Sequence, residues 1–374
     1  MKIGITCYPT YGGSGVIATE LGKELASKGH EVHFVSYALP FRLTHFVENI
    51  FFHEVETNNY PLFEFSLYTL ALASKMVEVA RYENLDLFHV HYAIPHATSA
   101  YLAKQIIKEK RDIKIITTLH GTDISLVGLE PSFSHLVKFS IEQSDGVTAV
   151  SRHLKAQTLT NYKIEKDICV IPNFVDTKIF SPQAPGQLKK HLAPNGEKIL
   201  VHTSNFRPVK RVSDAIKILN IVAKELPCKL VLIGDGPDRS ECERLCRELD
   251  LCDKVVFLGK QDGLVEILNC GDLFLIPSQS ESFGLAALEA MACGLPVISS
   301  SVGGLPELMS HNETGYIAEF GDVKRMAKYA IELLTNEKKY QTFSANARAR
   351  AVEKFDKSII IPQYEEYYKK ILGE

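Results

Sequence analysis

Residues 5–37 read ITCYPTYGGSGVIATELGKELASKGHEVHFVSY. Ile3 to Tyr8 has the length and apolarity of a short buried strand. Ser14 to Lys28 places Ile17, Leu21 and Leu25 on one face of a helix, and Glu31 to Ser36 reads as the next strand. The segment is therefore a strand–turn–helix–strand unit with glycines in its turn. Gly13 to Ala18 fits G-x-G-x-x-A, a dinucleotide fingerprint. Such a site also wants an acid at the end of the second strand, to hold the ribose hydroxyls. Here that strand ends in Val35, Ser36 and Tyr37, and Glu31 stands at its beginning. The nicotinamide reading fails this check. Two readings stay open: glycines that merely permit a tight turn, or a turn against which a ligand docks closely.

The same alternation runs outward through the chain. Strands are expected near 3–8, 31–36, 51–55, 86–90, 114–119, 146–150 and 168–171. After the proline-containing stretch IPNFVDTKIFSPQAPGQ (171–187) they resume near 198–203, 229–233, 255–258, 272–276, 296–300 and 315–318. KIITTL, KLVLIG, KVVFLG and DLFLIP are apolar on both faces, as a parallel sheet covered on both sides requires. Strand–helix alternation over this length predicts an α/β architecture of two Rossmann-like, doubly wound parallel-sheet domains. The expected boundaries are 1–172 and 173–356. The final helix, 357–374, is rich in Tyr and Ile on one face and is expected to pack back on the first domain. Ligands of open α/β sheets bind beyond the carboxyl ends of the strands, so a cleft between two such edges is the default site.

Composition narrows the function classes. The chain has 374 residues, 45% hydrophobic and 23% charged, with a formal net charge of −3. That balance supports a normal globular core and gives no reason to expect nucleic acid or an anionic membrane as partner. No signal-peptide pattern opens the sequence and no apolar run approaches the ~18 residues of a membrane span. A cytoplasmic location is the expectation, and there the eight cysteines stay as thiols. Cys242, Cys246 and Cys252 cluster without a C-x-x-C pair, which argues against a metal site.

Four stretches carry the chemistry. In SESFGLAALEAMACGLPVISSSVGGLPE (280–307), Glu281 precedes a helix opening near Phe283-Gly284, and Glu289 lies on it. Gly284 permits close approach to the helix start, where free N–H groups and the positive dipole end suit a phosphate. The alternative is that Glu281 caps the helix and Glu289 is exposed. In HTSNFRPVKRVSD (202–214), Arg207, Lys210 and Arg211 could neutralise a diphosphate, or form an ordinary basic loop. In TTLHGTD (117–123), His120 and Asp123 could hold a sugar or move a proton, or be structural. LIGDGPD (232–238) fits close approach to a base or ribose at Gly234, and equally a plain turn.

Together with YGGSG, HGTD, NFRPVKR, GDGP, the E-x7-E pair and GGLPE, these stretches resemble the GT4-type retaining nucleotide-sugar glycosyltransferases of GT-B fold, over nearly the whole chain. KIGITCYP, FHEVE and HVHYAIPHA resemble one branch of that family, and the resemblance alone implies transfer of N-acetylglucosamine from UDP-GlcNAc to the hydroxyl of L-malate, the first step of bacillithiol biosynthesis. The resemblance implies that Glu289 binds the donor ribose. Glu281 would sit at the transferred sugar with the backbone of Phe283, Gly284 and Leu285, and Lys210 would bind the diphosphate. It further implies that Gly13 approaches the phosphates and His120 reaches the donor sugar. Ser14, Tyr92, Thr122 and Arg152 are the candidates for a dicarboxylate acceptor. The family's usual G-R-L arginine is Asn205 here, so Arg207 or Arg211 would supply the second cation.

No D-x-D segment is present to hold a metal, so no metal or other cofactor is expected. Cations and a helix start would stabilise the leaving diphosphate instead. The family's usual account of retention is front-face attack; no residue announces itself as a nucleophile for double displacement. Rival readings are a GT4-type transferase with another acceptor, a GT-B-fold UDP-sugar epimerase and an NAD oxidoreductase. A homo-oligomer is compatible with the sequence.

Overall fold

The structure, a computed structural model, describes residues 1–10, 12–57 and 66–374; Tyr11 of the YGGSG motif lies outside them. Contacts divide the chain into two compact units, Met1–Pro172 with Ile360–Glu374, and Asn173–Ile359.

The first unit holds β1 (Lys2–Thr6), β2 (Glu31–Ser36), β3 (Ile50–Glu54), β4 (Leu87–His91), β5 (Lys114–Leu119), β6 (Gly146–Ala149) and β7 (Cys169–Val170). They form one parallel sheet in the order β3-β2-β1-β4-β5-β6-β7. Its helices are α1 (Gly13–Ser27), α2 (Tyr68–Glu83), α3 (Thr98–Ile107), α4 (Pro131–Gln143) and α5 (Arg152–Tyr162). Leu72, Met76, Val79 and Ala80 of α2 pack with Val35, Val55, Phe88 and Val90 in one apolar cluster. That cluster lies on one face of the sheet, because Val35 and Val55 share a parity along their strands. A Cβ on Gly22 of α1 would meet Phe34 at 2.4 Å and Val32 at 3.3 Å, which puts α1 on the other face.

The second unit holds β8 (Lys198–Thr203), β9 (Cys228–Ile233), β10 (Val255–Gly259), β11 (Leu273–Ile276), β12 (Val297–Ser300) and β13 (Gly315–Ala318). Its parallel order is β10-β9-β8-β11-β12-β13. The helices are α6 (Gln187–Leu192), α7 (Val212–Val222), α8 (Arg239–Glu248), α9 (Leu264–Cys270), α10 (Leu285–Ala292), α11 (Leu305–Leu308), α12 (Val323–Thr335) and α13 (Glu337–Phe355). Every strand expected from the sequence is present, with ends shifted by no more than two residues.

The last helix, α14 (Lys357–Leu372), begins in the second unit and continues into the first. Tyr364 and Tyr368 are fully buried. The Tyr367 hydroxyl accepts from Val147 N at 2.9 Å and donates to Val147 O at 3.2 Å. Tyr368 bonds the His89 ring at 2.6 Å. Gly146 leaves the room this needs, since a Cβ there would lie 2.9 Å from the Tyr367 ring.

Both sheets reverse their strand order beside the first strand of the unit. In unit 1 the switch falls between β1 and β4, and in unit 2 between β8 and β11. The loops leaving adjacent strands diverge there and open a crevice at the carboxyl edge. Gly13 and Ser14 follow β1 and Tyr92 follows β4. The basic loop follows β8 and Glu281 follows β11. The two switch points thus carry most of the residues singled out from the sequence.

Candidate active site

The unit 2 site is built on a strained loop. After β8 the chain turns through Ser204 to Arg211, with positive φ at two non-glycine residues, Phe206 (38°) and Arg211 (54°). Such conformations persist only where surrounding contacts over-determine them. Here Phe206 is fully buried. Buried His202 donates from Nδ1 to Leu275 O at 2.9 Å, which leaves Nε2 to accept from the Ser204 hydroxyl at 2.8 Å. Ser204 Oγ accepts from Phe206 N at 3.3 Å. Burial also holds the His202 pKa down at about 4, so the ring stays neutral in this role. Gln279 N donates to Val209 O at 2.7 Å and ties the loop to the one after β11.

This framework presents Lys210 to Glu281 at 2.7 Å, with side chains only 23% and 10% exposed. Ser278 Oγ donates to the same carboxylate oxygen at 2.9 Å. Glu281 therefore does not cap the following helix; the N-cap of α10 is Gly284, at φ 97°, with no side-chain cap. Glu289 is 6% exposed, so the exposed alternative for it is overturned. It sits on the second turn of α10, whose first N–H groups have no intrahelical partners. Phe283 buries its ring against Phe355, centroids 5.6 Å apart; only its backbone is left for a ligand. Leu285 opens α10 and is partly exposed.

The GGLPE loop has a role the sequence did not disclose. A Cβ on Gly303 (φ 57°) would lie 1.7 Å from Glu281 O, and one on Gly304 would lie 2.3 Å from Ser282 O. Gly304 N donates to Glu281 O at 2.9 Å. The two glycines clamp the backbone that carries Glu281. Gly303→Ala is expected to cost on the order of 1–3 kcal/mol, as backbone strain of this kind does, and to weaken nucleotide binding as Glu281 shifts. Thermal melting and UDP titration check this; an unchanged melt with unchanged affinity would refute the clamp.

Two donor-side candidates change character. A Cβ on Gly234 (φ 115°) would meet Ser204 O at 1.8 Å, and one on Gly236 would meet Asn205 O at 2.0 Å. The glycines of GDGP are required by close packing of this chain's own loops, which accounts for them without a ligand. Arg211 is held by Asp214 at 2.8 Å, while Arg207 is exposed, three residues before Lys210. Asn205 has a buried side-chain oxygen with no hydrogen-bond partner among the described residues.

In unit 1, Ser14 Oγ and Tyr92 OH bond at 2.9 Å. Tyr92 has φ 91°, and burial raises its pKa to about 12 despite bonding to Ser14 and Thr122. Its ring lies 5.3 Å from that of His120. Gly13 is the first residue of α1. Arg152 opens α5 one residue after its capping serine, Ser151. Asp123 accepts from the amides of Ala93 (2.9 Å), Gly121 (3.0 Å) and His120 (3.3 Å). Its carboxylate is spent on holding two loops together. Burial raises its pKa to about 6 against those bonds.

Sequence reasoning passed over a histidine cluster. His91 Nδ1 bonds His120 Nε2 at 2.8 Å, with the rings stacked. His96 donates to His91 O, and His89 bonds Thr118 at 2.7 Å and Tyr368. All four are buried, and burial holds each pKa below the usual histidine value. The H-x-H spacing of His89 and His91 in a fully buried strand was the available signal, because buried polar residues are the informative ones.

Comparison with known proteins agrees with this geometry. Residues 11–179 match the family model described as Glycosyltransferase Family 4, and residues 185–350 the one described as Glycosyl transferases group 1. The chain is 51% identical over 375 residues to N-acetyl-alpha-D-glucosaminyl L-malate synthase of Bacillus anthracis, covering 100% of this chain and 98% of that one. Among solved structures, Anabaena Alr3699/HepE in complex with UDP-glucose matches with TM-score 0.83 at 21% identity, covering 99% and 100% of the two chains. Sucrose-phosphate synthase from Thermosynechococcus elongatus matches with TM-score 0.82 at 22% identity, covering 100% and 99%. These likenesses establish the GT-B fold. The chain belongs to the family 4 glycosyltransferases, and it is an enzyme of that class.

Proposed function

We propose that this enzyme transfers N-acetylglucosamine from UDP-GlcNAc to the hydroxyl of L-malate with retention, the first step of bacillithiol biosynthesis. The full-length 51% identity to the N-acetyl-alpha-D-glucosaminyl L-malate synthase of Bacillus anthracis carries the choice of substrates. The Lys210–Glu281 pair at the unit 2 switch point carries the chemistry.

The donor binds at the unit 2 switch point. Buried Glu289 takes the ribose hydroxyls and Glu281 the transferred sugar, while Phe283 to Leu285 supply backbone. Lys210 neutralises charge that develops on the departing diphosphate, and the first turn of α10 adds its N–H groups and dipole. Arg207 is the second cation, because Arg211 is engaged with Asp214. Of the unit 1 residues, the family resemblance assigns Gly13 to the phosphates, His120 to the sugar, and Ser14, Tyr92, Thr122 and Arg152 to the malate. His91 occupies the Nε2 side of His120, so Nδ1 is the nitrogen His120 offers.

Product analysis after mixing the protein with UDP-GlcNAc and L-malate tests the proposal. An α-linked GlcNAc–malate with UDP release is the expected result. UDP release only with other acceptors, or conversion of the donor to an epimer without malate, would replace it. The diphosphate is stabilised by side chains and amides, so turnover is expected to be unchanged by EDTA and by omission of Mg²⁺. Loss of activity in chelator with recovery on adding Mg²⁺ would refute that part.

A further inference from the structure

The α2 face of the unit 1 sheet does not stay apolar to its end. The buried stripe of α2 runs Leu72, Met76, Val79 and Ala80, and its next position on that face is Glu83, the last residue of the helix. On the strands, Val35 and Val55 belong to the same apolar cluster. Two residues before each stand His33 and His53. The core thus terminates in two imidazoles and a carboxylate, whose ligand atoms lie within 4.8 Å of one another.

The histidines are fixed by the sheet. β2 pairs with β3 in the register His33↔Phe51 and Val35↔His53. His33 Nδ1 and His53 Nε2 are 3.0 Å apart, and the His33 ring stacks on Phe51 at 4.8 Å. The His33 side chain is 1% exposed. Its Nε2 is buried with no hydrogen-bond partner among the described residues and looks toward Glu31 Oε2 at 4.0 Å. Burying an unpaired imidazole nitrogen is costly. A hydrogen bond between the two rings gives no reason for it, nor for a glutamate brought to the same point.

We propose that His33 Nδ1, His53 Nε2 and Glu83 form a binding site for one Zn²⁺ ion per chain. Two nitrogens and one carboxylate oxygen on rigid elements are a zinc donor set, with a fourth position left for water. Coordination at Nδ1 places the His33 proton on Nε2, facing Glu31. A metal-bound histidine commonly donates its other N–H to a carboxylate in this way, which fixes its tautomer. Here that carboxylate oxygen lies 4.0 Å from Nε2 and also pairs with Lys2 at 2.8 Å. The ion ties β3, the edge strand, to the end of α2. Glu83 lies just before the turn in which Asp86 accepts from Lys2 N at 2.7 Å, at the amino ends of β1 and β4 and away from the residues that follow those two strands. The site therefore serves stability and leaves catalysis alone.

The test uses untagged full-length protein, stripped with chelator, dialysed against Zn²⁺ and analysed for bound metal by mass spectrometry. Co²⁺ loading serves as the spectroscopic probe of a nitrogen–oxygen site. The wild type and Cys252→Ser, which removes an exposed thiol, are each expected to retain one equivalent. His53→Ala and Glu83→Gln are expected to lose it, and Glu31→Gln to weaken binding about 10–100-fold. Zinc is expected to raise the melting temperature of the wild type and not of His53→Ala, with turnover unchanged in both. Equal zinc retention by wild type, His53→Ala and Glu83→Gln, whether none or one equivalent, would overturn the site.

Discussion

Lys210→Ala is expected to lower kcat by about 10²–10³-fold, the loss that follows removal of one preorganised group from a site of developing negative charge. Two effects add. The cation is removed, and Glu281 is left largely buried as an anion whose remaining hydrogen bond comes from Ser278. An incoming diphosphate would then meet a like charge where the native site offers an opposite one. UDP affinity should fall with turnover for this reason. In the double variant Lys210→Ala/Glu281→Gln, UDP affinity should partly recover, because the repulsion is gone, while turnover stays low. Steady-state kinetics with UDP calorimetry decide the matter; wild-type values for the single variant would remove Lys210 from the mechanism.

Acid is expected to unfold the first unit before the second. His89 and His120 have pKa values held down at about 3, His96 at about 4, and His91 well below its usual value, all by burial. These rings are neutral in the fold and bind protons more readily in the unfolded chain. Their contribution is whole above pH 6.5 and is lost as pH falls toward the folded values. At pH 5 each contributes a loss on the order of 2 kcal/mol. Asp123 works in the opposite sense. Its folded pKa, about 6, lies above the unfolded 3.8, so acidification through pH 6 favours the fold. One carboxyl offsets only part of what four imidazoles lose. In the second unit, His202 is the corresponding buried group, at about 4. Hydrogen exchange at pH 7 and pH 5 should show protection falling first in β4 and β5. Uniform loss across both sheets, or none, would contradict this account.

Legibility differed by the kind of interaction. Strands buried on both faces announce themselves as continuous apolar runs, so KIITTL and DLFLIP were read to within a residue or two. The E-x7-E pair was also legible, because a glutamate before and a glutamate within an otherwise apolar helix is a costly pattern to keep. Asp123 and Gly234 were harder. A carboxylate in HGTD is as suited to substrate as to amides, and only the positions of Ala93 N and Gly121 N show that it is already engaged. Gly234 was read for its approach to a ligand, yet the atom it makes room for is Ser204 O. His33, His53 and Glu83 are separated by 20 and 30 residues, and no spacing connects them.

By itself, the order of residues determined two parallel sheets, their strand boundaries and the family. Those follow from local periodicity and from short motifs, in which every participant is near in the chain. Tertiary structure alone decided the partners: Lys210 with Glu281, His91 with His120, Gly303 with the Glu281 carbonyl, His33 with His53. Each pair is made by loops or strands that sheet order brings together across many residues. A hydrogen bond of 3 Å depends on that placement, which hydrophobic pattern specifies only to the level of a face.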